Sequence, residues 1–192
     1  MDALRERQSR REFSPASLPR QVLSDLLWAA FGINRPQTAH RTAPSAMNSQ
    51  EIDLYVLLAD GAYLFDAKDH RLRLIAPGDH RAKSGGQDFV KVAPLALVLV
   101  ADHARLVKAR PEVKEIYSWH DAGYVSQNVY LYCASAGLAT VVHELGDRAP
   151  LGALLGLRPE QRIILAQSVG FAGPPRPAGK ATGAKGSASG TP

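Results

Sequence analysis

The chain has 192 residues, 45% hydrophobic and 21% charged, enough for one globular domain with its own core. That apolar content excludes a wholly disordered chain, the single cysteine (Cys133) excludes an intrachain disulfide framework, and no apolar run approaches the ~20 residues of a membrane span. The net charge is +5, but Arg176, Lys180 and Lys185 in the acid-free stretch 172–192 supply three of those charges, so the composition does not mark a nucleic-acid-binding domain.

The opening MDALRERQSRREF carries charge with no apolar stretch after it and does not read as a secretory signal. A reducing, cytoplasmic setting is the expectation, with no membrane and no nucleic acid as partner. A first helix is expected over about the first eight residues. Leu18, Val22, Leu26 and Ala30 recur at four-residue spacing beside Leu23, Leu27 and Phe31, which predicts a helix with a wide apolar face ending near Gly32. Residues 36–50 read as polar and irregular. Ile52 to Leu58 reads as a strand, Asp60-Gly61 as a hairpin turn, and Ala62 to Asp66 and Leu72 to Ile75 as two further short strands.

Leu95 to Ala101 is apolar throughout, the pattern of a buried strand. Ala104 to Lys108 opens a helical segment that Pro111 interrupts or restarts. A second strong helix runs from Ala122 to Ala136, with Val125, Val129 and Cys133 on its apolar stripe and Gly137 as its stop. Leu138 to Val142 is a strand, Pro150 to Leu155 a short helix, and Arg162 to Val169 the last strand. Without regular βαβ alternation, the order argues for an α+β sheet with helices packed on it. The domain is expected over 1–173, with 174–192 as a Pro/Ala/Gly-rich basic tail that has little to bury.

The familiar catalytic signatures are absent: no GxGxxG, no GxxxxGK[ST], no HExxH, CxxC or GxSxG. The six histidines are scattered without HxH or HxxxH spacing, which supports no metal site. Cys133 reads as packing rather than as a nucleophile, because apolar burial leaves a thiol inert. Three polar features remain. Arg7-Gln8-Ser9-Arg10-Arg11 offers guanidiniums and a hydroxyl that can grip a phosphate, or forms a solvated basic face. Arg41 to Gln50 crowds small and amide residues into a loop that suits the edge of a polar heterocycle, or simply turns the chain. Gln127-Asn128 in the second helix would be buried amides that fix a neighbouring loop or touch a ligand.

Taken in order, these segments resemble the nitroreductase superfamily of flavin mononucleotide (FMN) enzymes. Arg7 to Phe13 is similar to its opening R-x-S-x-[RK]-x-F pattern and Pro44 to Gln50 to its PSxxNxQ loop. Asp121 to Asn128 with Ala136 to Thr140 resembles its DxGxxxQN helix and GLGT strand. Leu155-Gly156-Leu157 and Ser168 to Phe171 resemble its LGL and closing strand. Asp60 to Asp66, Gly78-Asp79, Gly86 to Val90 and Ala93-Pro94 are closer to the SagB-type branch.

The resemblance implies a nitroreductase-like α+β fold, a mixed and mainly antiparallel sheet flanked by helices, in an intertwined homodimer with FMN at the interface. Carried over, Arg7, Gln8 and Ser9 would hold the FMN phosphate and ribityl chain, and Arg11 would approach the pyrimidine edge. Ser45, Met47 and Asn48 would line the ring from the other subunit. The loop of His143, Glu144 and Leu145 would offer a backbone N–H to flavin N5, and Arg176 or Lys180 a last phosphate contact. The implied activity is ping-pong hydride transfer from NAD(P)H, through flavin N5, to a nitro, quinone or similar small-molecule acceptor. Alternatives are a SagB-type flavin dehydrogenase passing electrons to oxygen, or a flavin-binding protein without turnover.

Overall fold

The computed structural model describes residues 1–174. In chain order the elements are α1 (Asp2–Glu6), α2 (Arg20–Phe31), β1 (Ile33–Arg35), β2 (His40–Arg41), β3 (Ile52–Leu57), β4 (Gly61–Asp66) and β5 (Arg71–Pro77). There follow α3 (Asp88–Val92), β6 (Leu95–Asp102), α4 (Pro111–Ser135), β7 (Leu138–His143), α5 (Arg148–Leu155) and β8 (Gln161–Phe171). Strands β3 to β8 form one sheet in the order β5-β4-β3-β6-β8-β7, every neighbouring pair antiparallel. The expected α+β class, an antiparallel sheet flanked by helices, is what the structure has.

The sheet's two faces follow from the two-residue period of a strand. On β6, Leu95, Leu97, Leu99 and Ala101 pack with Leu54 and Val56 of β3 under α2 and α4, where Leu26, Leu27, Phe31, Val125, Val129 and Cys133 close the core. Ala96, Val98 and Val100 face the other way, with Tyr55, Leu57 and Ile163, against Leu151 and Leu155 of α5. All eight residues of β6 are buried, which explains its unbroken apolar run. Each fully buried leucine contributes about 1.5–3 kcal/mol. Gly137 ends α4 in the left-handed region at φ +67°, as expected for the stop after this helix.

Three expectations need correction. The first helix stops at Glu6, because the following backbone pairs with the sheet: Arg10 N–H donates to Thr140 O at 3.0 Å and Ser14 N–H to Phe171 O at 2.9 Å. Residues 104–108 turn without forming a helix, and Pro111 begins α4, eleven residues before the expected start. Proline is favoured in the first helical turn, where its missing N–H costs nothing. Residues 33–41 form the small β1–β2 ribbon, whose second strand lies in the stretch 36–50 expected to be irregular, and residues 88–92 form α3; neither has enough apolar period to be read from sequence.

Candidate functional site

Strand β7 is a sheet edge, and its open side is covered by the N-terminal segment and one side chain of α4. Tyr130 Oη accepts the Val142 N–H at 3.0 Å and lies 3.0 Å from Ser9 Oγ. The Arg7 guanidinium lies over the Tyr130 ring, 5.5 Å from its centroid. Phe13 bridges to Ala172, and Gly173 N–H donates to Glu12 O at 2.9 Å, so the segment is held at both ends. Among the described residues, Arg7, Arg10 and Arg11 enter no ion pair. The result is a fixed backbone that presents three uncompensated cations, with Gln8, Ser9 and Arg11 exposed and Arg7 half-buried.

A cavity of about 100 Å³ opens beside this segment, lined by Gln8, Arg10, Tyr130, Cys133 and Thr140 among others. Cys133 is fully buried there, and burial pushes its thiol up to about 12, so it takes no part as a thiolate.

At the far end of β7 the chain leaves the sheet through His143, Glu144 and Leu145. A buried polar chain reaches this exit from α4. Ser126 Oγ donates to Gln167 Oε1 at 2.8 Å and Gln167 Nε2 to Thr140 Oγ1 at 3.0 Å. Thr140 Oγ1 then donates to Ser168 O at 2.8 Å, and Ser168 Oγ lies 3.1 Å from His143 Nε2. Such networks fix side chains when every member is satisfied. Burial holds the pKa of His143 below the ordinary histidine value. Phe89 packs edge-on against its ring, with centroids 5.6 Å apart. A Cβ on Gly85 would meet His143 Nδ1 at 2.7 Å and Glu144 O at 3.0 Å, so only glycine lets the 85–87 loop approach so closely. Leu145 is buried beneath α5 and Glu144 is exposed, so this stretch can offer a ligand its backbone and the Glu144 side chain.

Residues 44–50, expected to line the ring, form a strained loop. Met47, Asn48 and Gln50 all adopt left-handed φ near +50°, at 52°, 52° and 48°. Non-glycine residues hold that conformation only where their surroundings impose it. Here the Asp121 carboxylate accepts the Ala46 N–H at 2.7 Å, Ser45 Oγ accepts the Gln50 N–H at 2.9 Å, and Arg41 Nε donates to Gln50 Oε1 at 2.9 Å. Gln50 Nε2 donates to Asn48 Oδ1 at 3.2 Å. Met47 stays 44% exposed, which is unusual for a residue held so firmly.

The structure therefore gathers Arg7, Gln8, Ser9 and the His143–Leu145 exit along one strand. Among the described residues, Ser45, Met47 and Asn48 make no hydrogen bond to either of them. Asp121, which anchors that loop, precedes Tyr130 by nine residues of α4, roughly 13 Å along the helix axis. Arg176 and Lys180 lie outside the described residues. Gln127 is exposed rather than buried, and Asn128 Nδ2 reaches only Ala30 O at 3.5 Å, so the expected buried amide pair does not exist within one chain. Sequence reasoning passed over Tyr130 and Glu51. Tyr130 follows Gln127 by one helical turn, but nothing in sequence ties it to Val142. Glu51 had a visible signal, an acid immediately preceding a buried strand.

Against known proteins, the Nitroreductase family profile matches residues 4–171. A Methanocaldococcus jannaschii protein provisionally named a nitroreductase is 30% identical over 150 residues, covering 73% of this chain and 75% of that protein. A crystal structure of a protein from Ralstonia eutropha JMP134, also provisionally named a nitroreductase, superposes with a TM-score of 0.86 at 44% identity, covering 91% of this chain and 83% of that one. The Desulfovibrio desulfuricans structure of another such protein, in complex with FMN, shares the fold at TM-score 0.62 and 21% identity, covering 92% of this chain and 90% of that one. The sequence motifs, the helix-flanked antiparallel sheet and a family match over nearly the whole chain agree, and the protein belongs to the nitroreductase family.

Proposed function

We propose that this chain is an FMN-dependent oxidoreductase that works as a homodimer, oxidises NAD(P)H and reduces a nitro, quinone or similar small acceptor. The observation that carries this reading is the run Arg7–Arg11: three cations without carboxylate partners among the described residues, on a backbone pinned to β7, in a chain of the nitroreductase family. Those residues fit a phosphate-bearing cofactor. Arg7 and Ser9 share one anchor, Tyr130, and a pre-positioned guanidinium and hydroxyl can meet a dianion without reordering.

When bound, FMN supplies the two-electron chemistry, and the protein supplies binding, orientation and electrostatics. In this reading Arg7, Gln8 and Ser9 hold the phosphate and ribityl chain, and Arg11 faces the pyrimidine edge. Backbone donors of the His143–Leu145 exit meet the flavin edge. That exit is held by Ser168 and by the close approach of Gly85. Ser45, Met47 and Asn48 of the other copy complete the pocket, and Arg176 or Lys180 adds a further phosphate contact.

The dimer has support in α4. Ile116, Trp119 and Tyr124 are 52%, 46% and 49% exposed, and with Gly123 they occupy its outward side. A mid-helix glycine costs about 1 kcal/mol relative to alanine. A Cβ there would meet nothing within 4 Å of this chain, so packing inside the monomer gives no reason for the glycine. Close approach of a second α4 gives one. The test is anaerobic mixing of the purified protein with NADH or NADPH, followed by steady-state assays with nitroaromatic and quinone acceptors. Rapid loss of the oxidised-flavin absorbance supports the reading. Its absence with both nucleotides, while the flavin remains bound, favours a dehydrogenase that draws electrons from another substrate.

A further inference from the structure

The loop that carries Met47 and Asn48 rests on two acids. Glu51 is completely buried, and Asp121 is 3% exposed. The Asp121 carboxylate accepts the Ala46 N–H at 2.7 Å. Neither carboxyl oxygen of Glu51, both buried, finds a hydrogen-bond partner among the described residues; its own backbone N–H is turned toward it and lowers its pKa, but by less than burial raises it. Asp121 is the neighbouring carboxyl that acts on Glu51, through side-chain hydrogen bonding and through charge, both of which raise the Glu51 pKa. Two carboxylates are both acceptors and cannot bond to each other; one added proton turns the pair into a donor and an acceptor. An ionised Glu51 with no donor beyond its own backbone N–H would carry most of the desolvation cost of a buried charge.

The other charged groups nearby do not remove that cost. Arg105, after β6, faces Glu51 but is engaged by Asp53 at 2.6 Å, and its Nη2 donates to the backbone oxygen of Glu51, also at 2.6 Å. Arg41 on β2 reaches the neighbouring residue, Gln50. Glu51 O also accepts the Asp102 N–H at 2.9 Å, which fixes its backbone to the end of β6.

We propose that Glu51 is held as the neutral acid, donates its proton to Asp121, and is thereby the positioning residue that keeps the 45–50 loop in its left-handed form with Met47 and Asn48 presented outward. Burial, and next the hydrogen bond to Asp121, raise the Glu51 pKa from 4.5 to about 7, in the same direction. The loop is then anchored below neutral pH and released above it, when two adjacent buried carboxylates repel. The consequence for cofactor binding rests on the reading that this loop faces FMN; the consequence for the loop itself does not.

The experiment is amide hydrogen exchange over residues 46–50 of the apoprotein, corrected for intrinsic rates, across the neutral range. Wild-type protection is expected to fall about tenfold per pH unit above a midpoint near neutrality. In Glu51→Gln, which keeps a neutral donor, protection is expected to be independent of pH. Equal pH dependence in both proteins, or none in the wild type, overturns the proposal. Should Glu51→Gln fail to fold, the wild type decides alone: the infrared band of a protonated carboxylic acid must be present at mildly acidic pH and vanish with the loss of loop protection, and its absence overturns the proposal. FMN affinity measured in parallel separates the two readings. Flavin binding with pH-independent loop protection sinks the Glu51 role alone, whereas pH-dependent protection in a protein that never binds FMN sinks the site reading alone.

Discussion

Tyr130 and Val142 are joined across the sheet edge: the phenol oxygen on α4 accepts the backbone N–H of β7 at 3.0 Å. An edge strand leaves such amides unpaired unless something covers them. The same phenol lies 3.0 Å from Ser9 Oγ and beneath the Arg7 guanidinium, so one side chain ties edge, helix and basic segment together. Tyr130→Phe keeps the ring and removes the acceptor. It is expected to cost about 1–3 kcal/mol of stability, because the Val142 N–H loses its partner. Chemical denaturation of the apoprotein measures this, and FMN affinity should fall in parallel.

Arg7→Ala removes a guanidinium that enters no ion pair among the described residues. Loss of a charge-assisted contact predicts weaker FMN binding by about 1.5–3 kcal/mol, with little change in thermal stability of the apoprotein. Fluorescence titration of apoprotein with FMN is the check. Undiminished affinity would remove Arg7 from the phosphate site.

Much of the fold was legible because its signals are local. The all-apolar run of β6 follows from burial on both faces, and the four-residue spacing of α2 and the stripe Val125, Val129, Cys133 from burial of one helix face. What could not be read depends on partners distant in sequence. Residues 7–11 continue as extended chain because β7, some 130 residues on, offers an edge. The N-terminal half of α4 has its apolar residues on an exposed side, so its period did not point to a core. Of the site, the motifs gave the basic segment and the loop after Pro44. Tyr130 and Glu51 act through Val142 and Asp121, pairings that only the folded chain brings about.

Gly85→Ala places a methyl group where His143 Nδ1 and Glu144 O already stand. Overpacking of this kind costs roughly 1–3 kcal/mol and displaces the softer of the two loops. The expected outcome is a lower Tm together with weaker FMN binding, since the His143–Leu145 exit is the part that moves. Thermal melts with and without added FMN report both effects.

His143 predicts a stability change on mild acidification. Burial lowers its pKa from the ordinary 6.5, so below that value the unfolded chain takes up a proton that the folded protein refuses. Stability contributed by neutral His143 is therefore present above pH 6.5 and is lost as pH falls toward the lower folded value. Glu51 has the opposite sign, so the His143 component is read as the difference between wild type and His143→Gln. That difference should shrink as pH falls through this window, and a constant difference would contradict the assignment.

Gly123→Ala distinguishes an exposed helix face from a covered one. In a monomer the change stabilises α4 by about 1 kcal/mol. Against a closely packed second α4 it weakens association instead. Sedimentation velocity of the two proteins gives the answer, with the dimer of the wild type expected to dissociate more readily in the variant.

FMN binding by this chain is tested most directly by the visible absorbance spectrum of the purified protein, with the cofactor identified after heat release. Oxidised-flavin bands and free FMN are expected, either as purified or after reconstitution. A colourless protein that takes up no added FMN would contradict that expectation.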